Sequence, residues 1–381
     1  MDRRLTVAAI VAAGAWARTA VAEVDSTEHA RCTGPLDEAG VVRCALAASP
    51  EVRAARAELD AASGRRATAS IVLPSNPTLG GTLARRTTPA PGSVSVPNWS
   101  VTLSQELEIA GQRGARVDAS EAEVSARTRG VVVAEQEVTA GALAAFYEAL
   151  AAQESLRFAA ELAEGAKALV TYAEARAREE LIAGVEADVA RAEAARINLM
   201  PVDAERKLAE ARVALAVLLD IEPRTLQLPA GLPSTAIPEV IARALATSGD
   251  ASQLEEQAMR LRGEVAAADM ERQVLERRLA LIRRGRVPNP TVSAFVAREE
   301  IDDRVVGVGL SIPIPLPEPV GRTRSGEIAE AIGHLRAAEA SAELVRRRVR
   351  FEVSRAVAAL RARQSAAGLI APDLVTRAHA D

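Results

Sequence analysis

Aromatic side chains are scarce in this sequence, amounting to 2 % of its 381 residues. A compact globular core draws much of its bulk from Phe, Tyr and Trp, so such a core is a poor expectation here. Lysine is nearly missing as well. Lys167 and Lys207 are the only two, and arginine carries the positive charge. The 47 basic and 51 acidic residues are mixed along the chain, for a formal net charge of −4. No basic stripe interleaved with aromatics exists, which argues against a nucleic-acid partner. No Gly-rich phosphate loop and no Ser-His-Asp or Cys-His arrangement is visible, so the chain reads as a non-enzyme without a cofactor. His29, His334 and His379 are scattered and make no metal-ligand spacing.

Long apolar runs are missing too. Beyond the N-terminus no segment has 18 uncharged apolar residues, so no spanning helix is expected. The N-terminus itself has the form of an address. Arg3 and Arg4 precede an apolar run over residues 5–17, and Ala20-Val21-Ala22 is an A-x-A cleavage pattern before Glu23. Residues 1–22 are therefore expected to be a signal peptide and 23–36 an N-terminal extension of an exported protein. Cys32 and Cys44 suit an oxidising compartment and are a candidate disulfide, with free thiols as the alternative.

What the chain does have is alanine, roughly a fifth of all residues, and 26 % charge. That mixture suits long helices packed closely side by side. It also has internal repetition. Pro74-Ser75-Asn76-Pro77-Thr78 returns as Val287-Pro288-Asn289-Pro290-Thr291, 213 positions later. Each copy opens a pair of strand-like segments that runs into a glycine-arginine element, Gly111-Gln112-Arg113 or Gly321-Arg322, and then into a helical pattern. The first repeat is expected over 37–222, with strands at about 78–86 and 98–109. The second is expected over 223–381, with strands at about 291–298 and 304–314.

The strands show period two. Trp99, Val101, Leu103, Leu107 and Ile109 share one face, and Ser100, Thr102, Ser104, Glu106 and Glu108 share the other. Val306, Val308, Leu310, Ile312 and Ile314 likewise alternate with Val305, Gly307, Gly309, Ser311 and Pro313. Strands of about ten residues, apolar on one face, suit the wall of an outer-membrane barrel. A half-buried hairpin in a soluble domain has the same alternation. Glu106 and Glu108 are candidate lumen-facing carboxylates, with a solvated face as the equal alternative.

The remainder is helical. A proline-free pattern runs from Arg113 to about Arg178, breaks near Leu181, Ile182 and Gly184, and returns to Asp220. Pro201 lies inside the return and should kink or interrupt it. The break is a candidate tip: Gly184 would supply the turn, and Leu181, Ile182 and Val185 would be exposed apolar contacts for another protein. Arg113 is expected to bond carbonyls where strand meets helix. The second helical pattern stops at Asp381, before a counterpart of this turn, so the second repeat is expected to be truncated.

This order of motifs resembles the TolC-like outer-membrane factors of tripartite efflux pumps. The residues that carry the likeness are Leu73-Pro74-Ser75-Asn76-Pro77, Leu103-Ser104-Gln105-Glu106-Leu107-Glu108 leading to Gly111-Gln112-Arg113, Ala144-Ala145-Phe146-Tyr147 with Ala152-Gln153, Pro288-Asn289-Pro290, and Ile312-Pro313-Ile314-Pro315-Leu316. Gln105 through Arg113 is most similar to the cobalt-zinc-cadmium branch, which serves heavy-metal exporters. The resemblance implies a mainly α fold with a small β part. In it, two repeats form an α-helical barrel, and four strands per protomer join a trimeric transmembrane β-barrel. It implies a homotrimer in outer-membrane lipid with its helices in the periplasm. Its partners would be a periplasmic adaptor protein and an inner-membrane transporter of the resistance-nodulation-division type. The function implied is a passive duct for small solutes, divalent heavy-metal cations among them. The rival readings are a periplasmic adaptor or coiled-coil protein of an efflux system, and a non-functional truncated duct.

Overall fold

The computed structural model describes residue 32 and residues 34–86, 96–230, 251–299, 303–316, 319–321 and 323–369. The expected signal peptide and its cleavage site, His29, His379 and Arg322 lie outside these residues. In chain order the elements are β1 (Gly34–Pro35), α1 (Glu38–Ala48), α2 (Pro50–Ala69), β2 (Thr78–Arg86), β3 (Val96–Glu106), α3 (Gln112–Arg178), α4 (Gly184–Ile197) and α5 (Leu199–Leu219). Then come β4 (Leu226–Gln227), α6 (Ala251–Leu261), α7 (Gly263–Arg284), β5 (Thr291–Glu299), β6 (Asp303–Ser311) and α8 (Ser325–Leu369). The chain is mainly helical with one four-stranded sheet, and a short parallel pair joins β1 to β4.

The sheet is antiparallel throughout, in the order β2-β3-β5-β6. The two hairpins, far apart in sequence, meet along β3 and β5, where Val101 faces Val296 and Leu103 faces Ala294. The helices that continue these strands keep the same lateral order. α2 packs on α3, α3 on α7, and α7 on α8. Each strand therefore runs into its own helix, and the molecule is a curved wall of two storeys, sheet on top and helices below.

α3 is the spine of that wall. Its 67 residues span about 100 Å at 1.5 Å per residue. Its first part packs against α2 and α7 with small side chains (Ala115, Ala119, Ala126) buried at the contact. Its last part packs against α4 and α5. There Ala159, Ala166 and Ala173 recur every seven residues on α3, and Ala187, Ala194, Leu208 and Leu215 follow the same interval on the returning helices. A seven-residue alanine repeat lets two helices approach closely along their whole length. Pro201 interrupts the return helix, as expected. The helix interrupts at Asn198, and Pro201 is the third residue of α5, where its missing N–H has no helical acceptor to satisfy.

Among the described residues, a cluster of bulky buried side chains sits halfway down. Phe146, Leu150, Leu215 and Leu219 pack there with Val41, Leu36 and Leu226, and Phe146 is 1 % exposed. Cys32 and Cys44 lie in the same cluster, joined by a disulfide with their Cα atoms 5.9 Å apart. The bond ties the segment ahead of β1 to α1. Asp37 caps α1 through its Oδ1, which accepts from the Gly40 N–H at 2.7 Å, and Ser49 caps α2 by accepting from Val52 N–H at 3.2 Å.

Candidate functional site

Three regions carry features beyond packing: the two faces of the sheet, the junction of sheet and helices, and the far helical turn. Register places Leu79 and Leu83 of β2, Trp99, Val101 and Leu103 of β3, Val292, Ala294 and Val296 of β5, and Val306, Val308 and Leu310 of β6 on one face. Between Gln105 at one end and Arg85, Arg298 and Arg304 at the other, this face is apolar across all four strands and open: Leu83 is 82 % and Val308 84 % exposed. An exposed apolar surface of this size on a soluble protein marks a contact with something apolar. The opposite face carries Thr78, Thr82, Ser100, Thr102, Ser104 and Ser293. Hydroxyls pair across the strands there, Thr78 with Ser104 at 2.7 Å and Thr82 with Ser100 at 2.6 Å. Sheet and helical layer alike end in two lateral elements: β2 and β6 above, each paired on one side only, and α2 and α8 below, where α2 packs on α3, and α8 on α6 and α7, among the described residues.

Below the sheet the chain turns from strand to helix through Gly111, whose φ of 70° is left-handed. A side chain there would be strained, and its Cβ would stand 2.6 Å from Arg284 Nη1. Arg284 uses that approach to donate to the Ala110 carbonyl at 3.1 Å. The buried side chain of Gln112 accepts from Ala110 N–H at 2.7 Å and donates to Asn289 Oδ1 at 2.9 Å and to the Val287 carbonyl at 3.2 Å. Asn289 in turn donates to Glu106 Oε1 at 2.8 Å. Leu107 N–H donates to the Pro290 carbonyl at 2.9 Å. The Asn-Pro motif of the second hairpin is thus bonded directly to the glutamine and glutamate of the first. Arg113 donates to the Ser70 carbonyl at 2.9 Å, and Arg116 to the carbonyls of Ala69 and Ile71 and to the Glu108 carboxylate.

The two carboxylates expected on one lumen face are separated by this arrangement. Glu106 lies within β3 on the hydroxyl face. Glu108 lies past the strand end, with its side chain 9 % exposed and ion-paired to Arg116, so it is a junction residue and not an open lumen group. β3 ends at Glu106 and not near residue 109: Leu107 N–H still reaches the Pro290 carbonyl, but Pro290 has no N–H to return a bond, and the chain then turns at Gly111.

About two turns further down, Glu123 on α3 is buried between Arg65 of α2, at 2.9 Å, and Arg278 of α7, at 3.2 Å. Burial pushes its carboxyl up. The Arg65 hydrogen bond and the Arg278 charge outweigh that and hold it below the ordinary range. One glutamate therefore clamps three neighbouring helices. Flanking pairs, Arg56 with Glu135 at 2.9 Å and Arg346 with Asp269 at 2.5 Å, are more exposed.

At the far end α3 gives way to α4 through residues 179–183. Glu180 takes the left-handed conformation at φ 56°, and Leu181 N–H donates back to the Arg176 carbonyl at 3.0 Å. Gly184 does not supply the turn. It is the first residue of α4, in ordinary backbone, and the reversal is made by Glu180 and closed by the i→i−5 bond of Leu181. Leu181 is 59 % and Val185 67 % exposed, and Ile182 is half-buried. Among the described residues no three His, Cys, Asp or Glu side chains gather as a metal site.

Sequence reasoning did not find the β3–β5 pairing, the Gln112–Asn289–Glu106 chain or the Glu123 clamp. The repeated Asn-Pro motif was the available signal for the second of these. A lone glutamate amid 51 acidic residues offers none for the third.

Residues 41–220 match the family model for outer membrane efflux proteins. No curated protein sequence matches the chain. Among solved structures, the outer membrane protein VceC from Vibrio cholerae superposes with a TM-score of 0.65 at 17 % identity, covering 86 % of this chain and 80 % of its own. CusC, described for its transmembrane channel formation, gives 0.65 at 15 % identity, with 92 % and 81 % covered. The open state of the MtrE outer membrane channel from Neisseria gonorrhoeae gives 0.62 at 17 % identity, with 86 % and 74 % covered. At these identities the likeness is one of fold.

Proposed function

We propose that this chain, whose residues 41–220 match the family model for outer membrane efflux proteins, is the outer-membrane duct of a tripartite efflux pump. One observation carries the reading: a sheet apolar and open on one face, hydroxylated on the other, with two lateral edges and a helical layer in the same strand-by-strand order. Lipid accepts the apolar face, but not the backbone groups of an open edge, each costing several kcal/mol unpaired. Four strands are too few to close on themselves. Three copies joined β6 to β2 give twelve, which is an adequate barrel. The same operation joins α8 to α2 and continues the helical layer as a tube below the membrane.

The duct is passive, and the energy comes from the inner-membrane partner. Its turn at residues 179–185, about 100 Å from the sheet along α3, is the end available to a periplasmic adaptor. Leu181, Ile182 and Val185 are the contact residues in this reading, and Glu106 is the lumen carboxylate. The cargo class, divalent metal ions included, rests on the resemblance of residues 105–113 alone.

The test is assembly and conduction. The protein extracted from outer membranes in detergent is expected to run as a trimer by light scattering and to give stepwise conductance in planar bilayers. A monomer that stays in solution without detergent overturns the reading and favours an adaptor.

A further inference from the structure

The hydroxyl face of the sheet carries a single aromatic ring among the described strand residues, that of Phe295 on β5. Trp99, the other strand aromatic, is on the apolar face. Register sets Phe295 between Thr102 on β3 and Gly307 on β6. Its ring lies over Gly307: a Cβ at 307 would stand 2.5 Å from Phe295 Cζ and 2.7 Å from Cε1. Next to it, a Cβ at Gly309 would stand 2.6 Å from Ser293 Oγ. The two glycines of β6 thus leave room for β5 side chains to lie across them, and Phe295 remains half-buried with part of its ring open. The same face holds Glu106 at one end of the strands and Glu299 and Asp303 at the other.

Resting on the duct reading, we propose that Phe295 is a recognition residue for organic cations passing through the barrel. In the closed trimer three such rings face the lumen at one level. Acidic ends concentrate cations there, and the ring supplies an electron-rich face to a soft, weakly hydrated ammonium. A small hydrated metal ion gains little from such a face, because it would have to shed its water first. The glycine at 307 leaves the space on β6 that the ring occupies on this side of the sheet. An aromatic over a cross-strand glycine also stabilises a sheet, and the experiment separates that role from recognition.

Single channels of the full-length protein in planar bilayers would be recorded in potassium chloride with tetrabutylammonium added. The wild type is expected to show concentration-dependent block that caesium chloride does not reproduce. Phe295→Leu should keep its conductance and weaken the block roughly three- to fivefold, the size of a partly exposed cation–π contact. Phe295→Tyr should keep it. Equal block in wild type and Phe295→Leu overturns the proposal. So does a Phe295→Leu protein that loses its trimer on unheated gels while Phe295→Tyr keeps it, since the ring then serves the sheet only. A wild type that never conducts overturns the duct reading itself and this inference with it.

Discussion

Gly111 and Glu123 show how much of this protein hangs on single positions. Gly111→Ala places a methyl group into the Arg284 guanidinium and forces a left-handed backbone on a residue that resists it. We expect a loss of about 1–3 kcal/mol in unfolding free energy, with Gly111→Asn closer to wild type because asparagine tolerates that conformation. Denaturant titration of the detergent-solubilised protein checks both. Glu123 has a folded-state pKa below its unfolded one, so its contribution is present above the unfolded value and lost as pH falls through the folded one. Glu123→Gln is expected to cost about 1–2 kcal/mol at neutral pH, discounted because both arginines are half exposed. It should also flatten the loss of stability below about pH 4. Thermal melts at pH 7 and pH 3.5 for the two proteins measure the difference. These residues differ in legibility. Gly111 stands in a motif that marks the end of a strand, whereas nothing local distinguishes Glu123 from the other acids of α3.

At the scale of elements, the strands were readable because a lipid-facing sheet alternates strictly, and alternation is a property of neighbours in sequence. Val308→Arg on the open apolar face is expected to cost about 2–4 kcal/mol at the membrane midplane and to prevent insertion. Ser293→Arg on the opposite face should insert normally. Outer-membrane fractionation of both variants checks the assignment of faces. The helical turn is a second element with its own test. Replacing Leu181 and Ile182 together with Asp should abolish adaptor crosslinking and export but leave trimer formation intact. Normal export with both substitutions would remove the tip from the docking surface. Failure to insert would place it in the folding core. Gly184 illustrates why the turn was misassigned in detail. Glycine is the cheapest residue for a left-handed turn, yet the chain reverses at Glu180, four residues earlier, where the last carbonyls of α3 are within reach.

At the scale of the whole molecule, the chain is a wall with two unfinished sides, and in the proposed duct lipid covers its exposed apolar face and further copies complete its edges. Crosslinking is the direct measurement: a cysteine in β6 at Val306 and one in β2 at Leu83, both on the outer face, should yield disulfide-linked oligomers that stop at the trimer. A ladder extending beyond three copies would deny the closed barrel.

Composition, periodicity and the repeated Asn-Pro motif by themselves determined a mainly helical chain with two hairpins of strands, the positions of those strands to within a few residues, and the central helical turn. These are consequences of spacing along the chain, where side chains two, four or seven positions apart decide which face they share. Only the tertiary structure decided that β3 lies beside β5, that Gln112 and Asn289 bond across the two repeats, that Glu108 is turned onto Arg116, and that Phe295 covers Gly307. Each of these joins residues through space, most of them far apart in the chain. Which of the many polar and small side chains meet depends on how two hairpins dock, a choice that local propensity does not contain.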